Sequence, residues 1–351
     1  MNFEDVKKEY EEYLSSKIGI FKKVLSYNLN LTNEELLIIG DKGEEDKNVS
    51  GLLTYGYSLA AKELGIKHKM LLQDRKEVGQ DADKKIVNSM VKLDKGNVLL
   101  INTSQGIGGL GEIGKSYRKF AAKRNHRFGS ASSLGTITND NLRLVVNCLD
   151  VDYKKLQKKT LRLKEKLDNT SEVHVKTKLG TDILYNIEGI EARDSTGVYH
   201  ENGKGGNIPG AEAYTAPNGK KVEGTIVIDG SSNVKTTTVK VKNPIELEIK
   251  NGSITNINDT MEATMLNNTL KWAQAKAKYP DRCIRIGELG IGLNERAKII
   301  GSTIIDEKVL GTAHFAIGSN YWFGGDIKSI IHLDQVIKNP VIKLDGKRLI
   351  I

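Results

Sequence analysis

The chain has 351 residues, 38% hydrophobic and 28% charged, which fits a folded protein with room for two cores and excludes a disordered chain. Its formal charge is +9, but residues 1–170 hold most of the excess, with 30 Lys and Arg against 23 Asp and Glu, while the remainder has 23 against 21. No aromatics interleave with the charges of the densest basic run, residues 153–166, so the run suits a solvated helix face and a nucleic-acid partner is not expected.

Residues 3–25 open the chain as a charged helix, with Phe3, Val6, Tyr10, Leu14 and Ile18 spaced by three or four. This start is acidic and amphipathic, and no apolar run approaches a membrane span, so neither a leader nor a membrane partner is expected. Cys148 and Cys283 are the two cysteines and lie far apart, which points to a reducing, cytoplasmic setting. Strands and helices then alternate: strand 36–40, helix 50–64, strand 67–72, helix 82–91, strand 97–102 and helix 117–123. Alternation at this spacing predicts a doubly wound α/β domain over residues 1–150. The basic helix near 153–168, with leucines at 156, 161, 163 and 167, forms a linking segment over residues 151–171.

Within the first domain, Gly109-Leu-Gly-Glu-Ile-Gly-Lys-Ser116 satisfies the phosphate-loop pattern, and residues 144–150 could pose as its magnesium-holding strand. A phosphate loop must leave its strand directly, so that backbone N–H groups converge on the phosphates. Here Thr103-Ser-Gln-Gly-Ile-Gly108 intervenes, so the stretch is read as a strand-to-helix connection.

Residues 172–351 change to short alternating strands and turns, with Leu179-Gly180-Thr181 as a hairpin turn and one helix over 260–278. The expectation is an α+β, mostly antiparallel domain. Near its end, Ala-His314-Phe-Ala-Ile-Gly and Ser-Ile-Ile-His332-Leu-Asp334 form two strands, and the period of two puts His332 and Asp334 on one face. Two imidazoles and a carboxylate from neighbouring strands suit a metal ion. Two further carboxylates sit on constrained backbone. Glu212 lies in a segment pinned by Pro209, Pro217 and three glycines, and Glu288 ends an apolar strand with glycines on either side. Two nitrogens and three carboxylates form a donor set for two divalent ions of the zinc, cobalt or manganese kind.

These motifs, in order, resemble the metallopeptidase family of aminopeptidase T and aminopeptidase S: Asn207 to Pro217, Gly287-Glu288-Leu289, His314 to Tyr321, and His332-Leu-Asp334. The resemblance implies that Glu212, Glu288, His314, His332 and Asp334 are metal ligands. It places Tyr321 at the metal centre and gives Glu212 and Glu288 catalytic duty. It also implies a homodimer and a metallo-aminopeptidase that acts on peptides with a free N-terminus through metal-activated water. Glu307 is a further candidate beside the metals. The chain departs from that family in its compact 314–332 segment and in reading Pro-Gly-Ala-Glu at the first motif. Shorter relatives on the same scaffold include 2,5-dihydroxypyridine 5,6-dioxygenase. For such an enzyme His314, His332 and Asp334 would be an iron(II) facial triad, so the same residues admit an oxidative alternative.

Overall fold

Parallel strands buried on both faces need near-continuous apolar runs, and Leu36-Leu-Ile-Ile and Val98-Leu-Leu-Ile supply them. The computed structural model describes residues 3–77, 79–114 and 116–351. It falls into two units: Met1–Tyr153 with Gly197–Gly210, and Lys154–Thr196 with Ala211–Ile351.

In the first unit, helices α1 (Phe3–Ser16) and α2 (Ile18–Lys23) precede strand β1 (Leu36–Asp41). Helix α3 (Val49–Glu63), β2 (His68–Gln73), α4 (Lys84–Lys92), β3 (Val98–Asn102), α5 (Tyr117–Lys123), β4 (Arg127–Ala131) and α6 (Leu142–Leu149) follow. Every pairing in this sheet is parallel, in the order β2-β1-β3-β4. Ile86, Met90, Leu93, Phe120 and Ala121 cover one sheet face, packed on Leu37, Ile39, Leu99 and Ile101. The N-terminal α/β expectation therefore holds, with two corrections. Residues 144–150 lie in or just after helix α6, not in a strand. Strand β4 escaped notice because Arg-Phe-Gly-Ser-Ala has a single large apolar side chain and is buried by its neighbours. The glycine-rich stretch 109–116 connects β3 to α5, and Ser116 caps α5 by accepting from the Lys119 N–H; Lys115 lies outside the described residues.

The rest of the chain adds helix α7 (Tyr153–Asp168), β5 (Glu172–Lys176), β6 (Asp182–Asn186) and β7 (Arg193–Ser195). Leu163 and Leu167 are buried along α7, whereas Leu161 is exposed. Strand β8 (Gly205–Asn207) pairs in parallel with β4 and so joins the first sheet, although its residues fall within the 172–351 domain expected from sequence. Next come β9 (Glu212–Thr215), β10 (Val222–Ile228), β11 (Ser231–Asn233), β12 (Thr238–Lys240), β13 (Ile245–Lys250) and β14 (Ser253–Ile257). Helix α8 (Met261–Lys276), β15 (Ile286–Gly292), the short helix α9 (Thr303–Asp306), β16 (Thr312–Gly318), β17 (His332–Lys338), β18 (Val341–Leu344) and β19 (Lys347–Arg348) complete the chain.

Two antiparallel sheets make up the second unit, ordered β14-β13-β10-β6-β5-β18-β19 and β12-β11-β17-β16-β15-β9-β7. Strand β13 shows why they form: Ile245, Leu247 and Ile249 point inward, while Glu246, Glu248 and Lys250 are exposed. Tyr185 of β6 meets Phe315 of β16 with ring centroids 6.3 Å apart, so the two sheets pack face to face. The antiparallel character expected of this half is present. Among the described residues no helix is long and apolar enough to cross a membrane.

Candidate metal centre

Strand register decides which side chains can meet. In the second sheet Glu212 pairs with Gly292, Gly290 with His314, Ala316 with both Glu288 and Asp334, and Gly318 with His332. Cross-strand partners share a face, so Glu212, Glu288, His314, His332 and Asp334 all project from one side. Ala313, Phe315 and Ile317 take the other side, where Phe315 meets Tyr185. The partners facing the five polar residues are small, Gly290, Gly292, Ala316 and Gly318, which leaves room between the strands for ligating groups.

Two glycines are required by this geometry. A Cβ on Gly290 would lie 2.1 Å from His314 Nε2, so the imidazole rests directly on bare backbone. Gly287 is the extra residue of a bulge, because the register shifts between Ile286 and Glu288. A bulge re-aims the side chain that follows it, here Glu288. The carbonyl freed at Gly287 accepts a hydrogen bond from Asn320 Nδ2 at 2.9 Å. Asn320 Oδ1 in turn accepts from the Ile327 N–H at 2.8 Å, which closes the loop between β16 and β17. Arg285 clamps the same loop, donating to both carboxylate oxygens of Asp326 at 3.0 and 3.2 Å.

Ligand atoms of Glu288, His332 and Asp334 lie within 4.8 Å of one another, as do those of Glu212, Glu307 and His314. His314 Nε2 links the two groups, 3.2 Å from Glu288 Oε1 and 3.7 Å from Glu212 Oε2. His332 Nε2 stands 3.5 Å from Glu288 Oε2 and 3.3 Å from Asp334 Oδ1. The other ring nitrogen of His332 is 2.8 Å from the Ser319 carbonyl, which can only accept, so Nδ1 carries hydrogen. In the neutral ring Nε2 is then a lone pair aimed at two carboxylates. That tautomer control by a backbone carbonyl is what a metal-ligating histidine needs. Buried Asp334 Oδ1 and Glu212 Oε2 have no hydrogen-bond partner among the described residues. The donor set therefore fits a divalent cation.

Electrostatics agree with this. Burial works against the imidazolium of His332, but the Asp334 and Glu288 charges outweigh it and push the group up to about 10. His314 is held up to about 9, since its bond to Glu288 and the Glu212 charge overcome its burial. Asp334 falls to about 2, its burial outweighed by the His332 charge. Burial raises Glu212 and Glu307, which share the fully buried Lys308 as ion-pair partner. Burial alone would lower Lys308, but those two carboxylates reverse it and raise the ammonium.

The structure thus brings together all five residues named from sequence as candidate ligands, with Glu307, the further candidate, beside them. Tyr321 is 53% exposed, with Lys328 Nζ 5.7 Å from its ring centre and the Trp322 ring 5.6 Å away between centroids. The aromatic ring against the centre is Trp322, 5.0 Å from His332 between ring centroids and 54% exposed. Phe323 backs it and meets Tyr214 at 5.2 Å. Sequence reasoning also missed Lys308, which carries no motif and looks like any lysine in Asp-Glu-Lys-Val.

Residues 150–351 match the family model of 2,5-dihydroxypyridine 5,6-dioxygenase. A curated 2,5-dihydroxypyridine 5,6-dioxygenase of Pseudomonas putida KT2440 is 27% identical over 204 residues, 56% of this chain and 57% of that protein. The chain thus spans little more than half the length of the curated relative it matches. The solved 2,5-dihydroxypyridine dioxygenase of Pseudomonas putida KT2440 aligns with a TM-score of 0.71 at 19% identity, over 96% of both chains. Wild-type AmpT from Thermus thermophilus aligns with a TM-score of 0.63 at 16% identity, over 97% of both. At such identities the structural likenesses speak for a shared fold. The expectation of a peptide-cleaving hydrolase is overturned, because the family model and the curated relative are both dioxygenases. Metal-activated water falls with it, and these matches favour the oxidative alternative.

Proposed function

Because the chain belongs to the 2,5-dihydroxypyridine 5,6-dioxygenase family, we propose that it is an iron(II)-dependent oxygenase that opens a dihydroxylated pyridine-type ring with O2. The observation that carries this reading is the pairing of a tautomer-fixed His332 with Glu288 and Asp334, directly beside the half-exposed face of Trp322. Histidine nitrogens with carboxylate oxygens, and coordination positions left open, are the donor set of non-haem iron oxygenases. Glu288, His332 and Asp334 would hold the ion, with His314 completing the set from the next strand. When bound, ferrous iron supplies the electron transfer that lets O2 react with an electron-rich ring.

The protein's own groups do the rest. The Ser319 carbonyl holds the His332 ring in one orientation, and the Gly287 bulge with Asn320 sets that of Glu288. Trp322 offers a flat apolar surface beside the open side of His332, whose side chain is 25% exposed, so a planar substrate can lie against it. Phe323 and Tyr214 back that surface, so the indole has little room to retreat.

Oxygen consumption tests the reading. Protein loaded anaerobically with iron(II) should take up O2 when given 2,5-dihydroxypyridine, with matching loss of the ring's ultraviolet absorbance. Absence of uptake with this compound and with other dihydroxylated pyridines and benzenes would overturn it.

A further inference from the structure

We propose that Lys308 is a built-in second cation, which restricts this centre to one divalent ion. The inference rests on the single-ion reading above and concerns the other half of the cluster. Glu212, Glu307 and His314 offer ligand atoms within 4.8 Å of one another, a donor set that would by itself accept a divalent metal. Lys308 Nζ stands in that group, ion-paired with both Glu212 Oε1 and Glu307 Oε1 and fully buried.

The lysine is placed there by construction. Gly292 lets its loop close on β15, since a Cβ at that position would lie 2.4 Å from the Val309 oxygen and 2.7 Å from the Lys308 carbonyl carbon. The Lys308 carbonyl accepts the Asn294 N–H at 2.7 Å, and the Asn294 carbonyl accepts the Leu310 N–H at 3.0 Å. Upstream, the Asp306 carboxylate accepts the N–H groups of Ile300, Gly301 and Ser302 at 2.8, 3.0 and 3.1 Å. With the backbone pinned on both sides, the buried ammonium has no solvent to swing into.

The fixed ammonium also acts through its charge. Glu212, Glu288, Glu307 and Asp334 bring four negative charges into a buried site, and Lys308 balances one. One divalent ion nearly neutralises the remainder. A second is opposed by position rather than by the sum, since it would stand against a fixed ammonium in a poorly screened interior.

Manganese(II) is the probe, because it is divalent and distinguishes one ion from a coupled pair by electron paramagnetic resonance. The full-length wild type should bind one Mn2+ per chain with a mononuclear six-line spectrum. Lys308→Ala should bind two with a spin-coupled spectrum, while Lys308→Arg should stay at one. Two coupled ions in the wild type, or a single ion in Lys308→Ala, would overturn the proposal. Should Lys308→Ala not fold even with Mn2+, anomalous diffraction from wild-type crystals with Mn2+ decides. One peak at Glu288, His332 and Asp334 supports the proposal, and another between Glu212 and Glu307 refutes it. Failure of O2 uptake by a one-ion protein would remove the oxygenase reading alone, whereas O2 uptake by a two-ion protein would remove only the role of Lys308.

Discussion

Substitution of Gly290 by alanine probes the centre with a single methyl group. The new Cβ would lie 2.1 Å from His314 Nε2 and 2.2 Å from its Cε1, whereas ordinary contacts begin at 3.4 Å. The neighbouring ladder holds the β15 backbone, so the imidazole must retreat by more than about 1 Å, a misplacement that costs on the order of 100-fold where geometry matters. Iron(II) or manganese(II) affinity, measured by anaerobic competition with a chelator, should therefore drop by roughly 100-fold, or about 3 kcal/mol. Overpacking should add a stability loss of roughly 1–3 kcal/mol. A double-mutant cycle separates the two effects. In a His314→Ala background the ring is gone, and Gly290→Ala should change metal affinity little further. Gly19→Ala, where a Cβ meets nothing within 4 Å, serves as a control and should leave affinity unchanged. Affinity of folded Gly290→Ala within twofold of wild type would refute the placement of His314 on the metal.

Trp322→Ala should raise the KM for the ring substrate about tenfold and leave metal affinity intact, as expected for a surface that binds substrate only. Equal loss of metal affinity would show instead that the indole supports His332. Asn320→Ala leaves the bulge carbonyl of Gly287 and the Ile327 N–H unpaired, so chemical denaturation should report a loss of roughly 1–3 kcal/mol. The raised His314 and His332, at about 9 and about 10, set the pH behaviour of chelator-treated protein. Their stabilising contribution is complete below the ordinary histidine value of ~6.5 and is lost as pH rises through those two values, so Tm should fall between neutrality and pH ~10. Metal must displace the same protons. Its affinity should climb over that interval, with proton release detectable by calorimetry in buffers of different ionisation enthalpy. A flat affinity profile would contradict the assignment of both imidazoles as ligands.

The metal face was legible because it depends on local periodicity. His332 and Asp334 are two apart, and Glu288 and Gly290 are two apart, so strand geometry alone puts each pair on one side. Glu212 could be added because prolines and glycines fix the backbone around it. The parallel order of β1, β2 and β3 was readable for a similar reason, since their strands and intervening helices differ sharply in pattern. Strand β8 was not, because Gly205-Gly-Asn gains its strand character only from pairing with β4. Lys308 and Trp322 were missed because long-range closure places them. Gly292 and Asp306 deliver the first, and the Asn320 and Arg285 contacts shape the loop that carries the second. Tyr321, which the motif favoured, is half-exposed next to the indole that meets His332. The hydrolytic reading came from ordered motifs that the peptidases share with this scaffold, and the family model and curated relative, not the geometry of the site, overturn it.

Isotope labelling tests the oxygenase account most directly. Iron-loaded protein turning over 2,5-dihydroxypyridine under 18O2 should place both labelled atoms in a ring-opened product, as read by mass spectrometry with allowance for exchange of carbonyl oxygen with water. Ring loss with no label in the product, or with O2 reduced to hydrogen peroxide, would contradict it.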